Sequence, residues 1–125
     1  MPKPVEINLH RQSRLLDITF DDGVKDSLSC EYLRVYSPSA EVRGHSPSQA
    51  VLQVGKEDVA INGIEPVGHY AVQLIFTDGH DTGFYTWDYL YDLTVNREKY
   101  WQEYLVKLQA AGHSRKTTNE GQANA

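Results

Sequence analysis

Leu16-Asp17-Ile18-Thr19-Phe20-Asp21-Asp22-Gly23 and Val72-Gln73-Leu74-Ile75-Phe76-Thr77-Asp78-Gly79 decide the fold. In the first stretch Leu16, Ile18 and Phe20 alternate with Asp17 and Thr19. In the second, Val72, Leu74 and Phe76 alternate with Gln73 and Ile75. A period of two marks a strand with one buried face. Each stretch ends in Asp-Gly, a hairpin signal, because Gly accepts the positive φ of the turn. Lys25 to Leu28 and Asp81 to Tyr85 are the expected return strands. Ser29 and Thr86 then stand where a hydroxyl caps a helix. The first helix carries Tyr32, Leu33 and Val35 or Tyr36, and the second carries Trp87, Leu90, Tyr91 and Leu93. Phe20, Asp22, Gly23 and Leu28 correspond to Phe76, Asp78, Gly79 and Phe84. Tyr32-Leu33 matches Tyr89-Leu90 with one extra residue. The chain reads as two strand–turn–strand–helix units that bury their apolar sheet faces together.

Other elements surround these units. Glu6 to Leu9 reads as a short strand. Val59-Ala60-Ile61 and Ile64 read as another, around a tight turn at Asn62-Gly63. Ser37 to Ala50, with two Pro, four Ser and one Gly, is an expected loop. Asn96 is placed to cap a helix from Arg97 to Ala111 that Gly112 ends. Its stripe of Tyr100, Trp101, Tyr104, Leu105 and Leu108 serves either core packing or a partner's groove. The expected class is α+β, with small, mainly antiparallel sheets and a C-terminal amphipathic helix. Residues 1–112 form one domain, and 113–125, without a large apolar side chain, form a disordered tail.

The 125 residues suffice for one domain with its own core. No apolar run reaches a membrane span, and MPKPVEINLH lacks the apolar stretch of a signal peptide. Lone Cys30 precludes an internal disulfide and suits a reducing cytoplasm, the expected location. A net charge of −5 argues against nucleic acid as a partner. Residues 57–96 hold seven acidic residues and no Lys or Arg, either a solvated face or an acidic docking surface.

Motifs for phosphate binding, for a nucleophile elbow and for an HExxH metal site are missing. His45 sits in the Ser/Pro loop, His69 precedes a strand, and His80 follows the second Asp-Gly. Asp78 and Asp81 flank His80. Imidazole with carboxylate suits non-haem iron, so His45, His69 and His80 with Asp78 or Asp81 are candidate metal ligands. The alternative is that Asp78 bonds its own turn and His80 is a polar turn residue.

Three runs carry a family resemblance. They are Tyr32-Leu33-Arg34-Val35-Tyr36-Ser37-Pro38-Ser39-Ala40-Glu41-Val42-Arg43-Gly44-His45, then Val67-Gly68-His69-Tyr70-Ala71, then Phe76-Thr77-Asp78-Gly79-His80-Asp81-Thr82-Gly83-Phe84-Tyr85-Thr86-Trp87. Over roughly residues 5 to 100 the chain resembles the gamma-butyrobetaine hydroxylase-like N-terminal domain family. The resemblance implies a small stand-alone bacterial domain of unknown function. Related domains precede a catalytic oxygenase domain or follow an iron–sulfur carrier ATPase. That oxygenase domain is absent here, so no catalytic residue is implied.

In the hydroxylase version a structural zinc is held by three Cys and one His, the Cys in a pattern like LRxxCxCxxC. Aligned on Leu33-Arg34, those positions are Ser37, Ser39 and Val42, and the His falls on His80. Three of four ligands are replaced, so the zinc site is expected to be lost and no cofactor is expected. Hydroxyl–backbone hydrogen bonds from Ser37 and Ser39 are expected to hold the loop instead, with His80 bonding into it and a Glu41–Arg43 ion pair beside it. The leading functional expectation is a non-catalytic interaction module. Its surface comprises Arg34, Ser37, Ser39, Glu41, Arg43 and the three histidines, and its partners handle iron–sulfur or metal clusters. Iron binding by the histidines is the alternative.

Overall fold

A computed structural model describes residues 2–43 and 50–115. The first strand, β1 (Pro4–His10), pairs antiparallel with β2 (Leu15–Phe20), which pairs antiparallel with β3 (Lys25–Ser29). Two short helices follow, α1 (Cys30–Val35) and α2 (Ala40–Arg43). The second sheet repeats the plan, as β4 (Ile61–Val67), β5 (Ala71–Phe76) and β6 (Phe84–Thr86), followed by α3 (Trp87–Val95) and α4 (Arg97–Ala110). The class is α+β, with two antiparallel three-stranded sheets.

The likeness of the two halves runs deeper than the sequence pattern. Phe20 N–H donates to the Val24 carbonyl as Phe76 N–H donates to that of His80. Gly23 N–H donates to the Phe20 carbonyl as Gly79 N–H does to that of Phe76. Asp22 Oδ1 accepts the Val24 amide, and Asp78 Oδ1 accepts the His80 amide. Gly23 and Gly79 have φ of 92° and 89°, a region costly for residues with a Cβ. Ser29 Oγ accepts the Tyr32 amide and Thr86 Oγ1 the Tyr89 amide, so both helices start on the predicted caps.

The repeat also includes the leading strand. Glu6 to Leu9 lies within β1, which belongs to the first sheet. Asn62-Gly63 does not turn the chain. β4 runs through it, with a register irregularity between Ile61 and Gly63 like that between Pro4 and Glu6 in β1. An extra residue in an edge strand gives the same Asn-Gly composition as a hairpin, and the pairing partner decides between them. The second return strand is shorter than expected, because His80–Gly83 lies outside the ladder.

One core joins the halves. Leu16, Ile18, Phe20 and Leu28 from the first sheet meet Leu74, Phe76 and Tyr85 from the second, with Leu33 and Leu90 from the helices. Buried Tyr hydroxyls are satisfied by backbone, Tyr32 donating to the Leu93 carbonyl and Tyr85 to that of Leu33. Tyr104 and Leu108 of α4 pack with Val35 at the end of α1, so the predicted stripe serves the core. The Asn96 side chain does not cap α4, since its amide donates to Asp92. His113 to Arg115, assigned to the tail from sequence, are among the described residues. Arg115 forms a two-point pair with the buried carboxylate of Glu31. No helix among the described residues is long and apolar enough to cross a membrane.

Candidate functional site

Every residue of α1 is buried, including Glu31 and Arg34. Buried charges require partners. Arg34 Nε donates to Asp78 Oδ2 at 2.9 Å, and Nη1 donates to Gln53 Oε1 at 2.9 Å. Lys56 Nζ reaches the same Asp78 oxygen at 2.8 Å. Burial raises the Asp78 pKa, but Lys56, the His80 amide and Arg34 outweigh it and hold the carboxyl down at about 2. Asp78 thus fixes the turn with one oxygen and joins α1 to the chain around Lys56 with the other. Arg34 is part of this interior network, not of an outer surface.

The turn delivers His80 inward, where the first half has Val24. Its side chain is 4% exposed. Nδ1 lies 3.1 Å from Glu41 Oε1, and Nε2 lies 2.8 Å from Ser37 Oγ. An ionised carboxylate only accepts, so Nδ1 donates to Glu41 and Nε2 accepts the Ser37 hydroxyl proton. Ser37 Oγ in turn accepts the Ser39 amide at 3.2 Å. Ser39 Oγ accepts the Glu41 amide at 3.2 Å and lies 2.7 Å from Thr82 Oγ1. Burial lowers the His80 pKa, with the Arg34 charge acting in the same direction against Glu41 and Asp78. That lowering favours the neutral ring which this donor–acceptor chain requires.

Carboxylate, imidazole and hydroxyl therefore stand in the order of an acyl-transfer triad. The hydroxyl is nevertheless closed off. Ser37 is 1% exposed, and the Gly83 backbone lies so close over it that a Cβ there would collide with Oγ. The arrangement clasps the 37–43 loop to the second turn.

The predicted hydroxyl–backbone bonds from Ser37 and Ser39 are present, and His80 does bond into the loop. The predicted Glu41–Arg43 pair is replaced. Glu41 bonds His80, and the Arg43 guanidinium lies 4.6 Å above the Tyr89 ring. Of the positions aligned above with the zinc cysteines, Ser37 contacts His80 and Ser39 bonds Thr82, Val42 is buried, and both imidazole nitrogens are engaged.

Among the described residues, the candidate iron ligands His69 and His80 are not brought together. His69 is exposed in the β4–β5 turn, at the opposite end of β5 from His80. That strand spans about 17 Å at about 3.4 Å per residue. Asp81 is exposed, with its carbonyl accepting from Gln73 Nε2. His45 lies outside the described residues. Among the described residues no group of three His, Cys, Asp or Glu is placed to hold a metal ion.

Beside the clasp is a cleft of about 330 Å³, walled by Val35, Val42, Leu52, Tyr89 and Tyr104. Arg43 and Lys107 stand exposed at its rim. Among the described residues neither has a carboxylate within ion-pair distance. Sequence reading included Arg43 and missed Leu52 and Lys107. An exposed Lys on a helix carries no local signal of a cleft, and Thr82 and Gly83 likewise gain meaning only from the loop packed on them.

The sequence model of the family described as gamma-butyrobetaine hydroxylase-like, N-terminal, matches residues 7–91. A protein solved in solution by NMR is 55% identical, with a TM-score of 0.78 over 92% of this chain and 86% of that one. A second NMR structure is 45% identical, with a TM-score of 0.81 over 94% and 95%. A crystal structure of a protein of unknown function in the DUF971 family, from Acidithiobacillus ferrooxidans, is 41% identical, with a TM-score of 0.59 over 74% and 92%. No curated protein matches the chain.

Proposed function

The chain belongs to the gamma-butyrobetaine hydroxylase-like N-terminal domain family, and on that premise we propose that it is a non-catalytic interaction module that docks a partner at the cleft between α1, α2 and α4. One observation carries this reading: an apolar recess whose two rim cations have no carboxylate partner among the described residues, in a chain of net charge −5. The Ser37–His80–Glu41 clasp supports it by fixing α2, one wall of the recess, before anything binds. A preformed wall lowers the ordering cost of association. Of the histidines expected to share this surface, His80 is interior and His69 is at the far end of β5, while His45 lies outside the described residues.

Affinity capture with quantitative mass spectrometry tests the reading. The wild-type chain is compared with Arg43→Glu/Lys107→Glu, whose substitutions are at exposed positions. A partner retained by the wild type and lost by a variant of unchanged melting temperature supports it. Identical retained proteins refute it. The identity of that partner also tests the expected link to iron–sulfur or metal-cluster handling.

A further inference from the structure

From the chemistry of the cleft we infer its occupant: a short acidic–apolar peptide segment of a partner protein, with a large apolar side chain in the recess and an adjacent Asp or Glu on Arg43 and Lys107. This rests on the interaction-module reading and adds the chemistry of the partner.

Three observations support it. First, Val35, Val42, Leu52 and Tyr104 offer an apolar wall, while the hydroxyls of Tyr89 and Tyr104 are already committed to the carbonyls of Tyr36 and Gln53. The recess therefore takes an apolar group. Second, the rim is cationic. A carboxylate placed between Arg43 and Lys107 gains two charged donors. Third, the cleft is open. Arg43, Val51 and Lys107 are all exposed, so an occupant keeps one side in water. That suits a side chain carried on a peptide better than a free small molecule, which binds by near-complete enclosure. The chain's own segments 44–49 and 116–125 contain no large apolar residue, so neither supplies the group.

Amide chemical-shift titration of the ¹⁵N-labelled full chain tests the inference, with three hexapeptides as probes: Gly-Asp-Leu-Phe-Glu-Gly, its charge-reversed form Gly-Lys-Leu-Phe-Lys-Gly, and Gly-Asp-Ala-Ala-Glu-Gly. Octanoate is the small-molecule arm. The expected result is saturable shifts at Val42, Arg43, Leu52 and Lys107 with the first peptide alone, at a Kd of about 1 mM or tighter. Arg43→Glu/Lys107→Glu is expected to weaken this by about tenfold or more. Equal binding of the reversed peptide, equal binding of octanoate, shifts confined to another face, or no shifts overturn the peptide chemistry. Concentration-dependent shifts at the same amides without peptide also overturn it, because the occupant is then a second copy. The module reading fails separately, when charge reversal leaves the captured proteins unchanged.

Discussion

Replacing Gly83 by Ala drives a methyl group into Ser37 Oγ and places it 3.2 Å from Pro38 Cδ and 3.4 Å from Tyr85 Cε1. Neither Ser37 nor Tyr85 has room to retreat, since they are 1% and 0% exposed. Overpacking of this kind costs about 1–3 kcal/mol. Pushing the hydroxyl aside also leaves His80 Nε2 buried without its donor, at about 1–3 kcal/mol. The two costs share one displacement, so a total of about 2–4 kcal/mol is expected. At about 4 °C per kcal/mol for a domain of this size, the melting temperature falls by about 8–16 °C. Thermal denaturation followed by circular dichroism reads this directly. Ser37→Ala removes the colliding oxygen and the same hydrogen bond, so the double variant is destabilised by at least about 1 kcal/mol less than the sum of the singles. A Gly83→Ala protein melting within about 2 °C of the wild type, or strictly additive singles, refutes the view that Gly83 exists to cover this clasp.

Other outcomes follow from the same geometry. The His80 pKa is depressed in the folded state by burial and by Arg34, so its contribution to stability is present above about pH 6.5 and is lost as pH falls through the lowered value. His80→Gln is expected to flatten that limb of the melting temperature against pH. Arg115→Ala strands the buried Glu31 carboxylate and lowers stability by about 1–2 kcal/mol in chemical denaturation, the half-exposed arginine limiting the effect. A chain ending at Gly112 is expected to lose the same amount, whereas an unchanged denaturation midpoint in either protein counts against the pair. Ser37→Cys/Ser39→Cys/Val42→Cys puts three thiolates at the positions aligned with the zinc cysteines, on the loop that bonds His80. Elemental analysis is expected to find stoichiometric zinc in this variant and none in the wild type.

The elements were legible because their signals are local. Leu16, Ile18 and Phe20 declare one buried face. Asp22-Gly23 and Asp78-Gly79 declare turns, and Ser29 and Thr86 declare caps. Asn62-Gly63 misled because bulge and turn share a composition and differ only in what pairs with the flanking residues. Asn96 misled because Asp92 competes for its amide.

The sequence by itself determined the class, the two repeated units and the starts of α1, α3 and α4, since each depends on residues a few positions apart, whereas α2 formed inside the expected Ser37–Ala50 loop. Only the tertiary structure decided that Arg34 is interior, that His80 bonds Ser37 and Glu41 while His69 stands at the far end of a strand, and that Arg43 and Lys107 flank one recess. Those relations join residues some 40 to 60 positions apart. A local periodicity fixes which way a side chain faces within its element, but the packing of two sheets and four helices fixes what it meets.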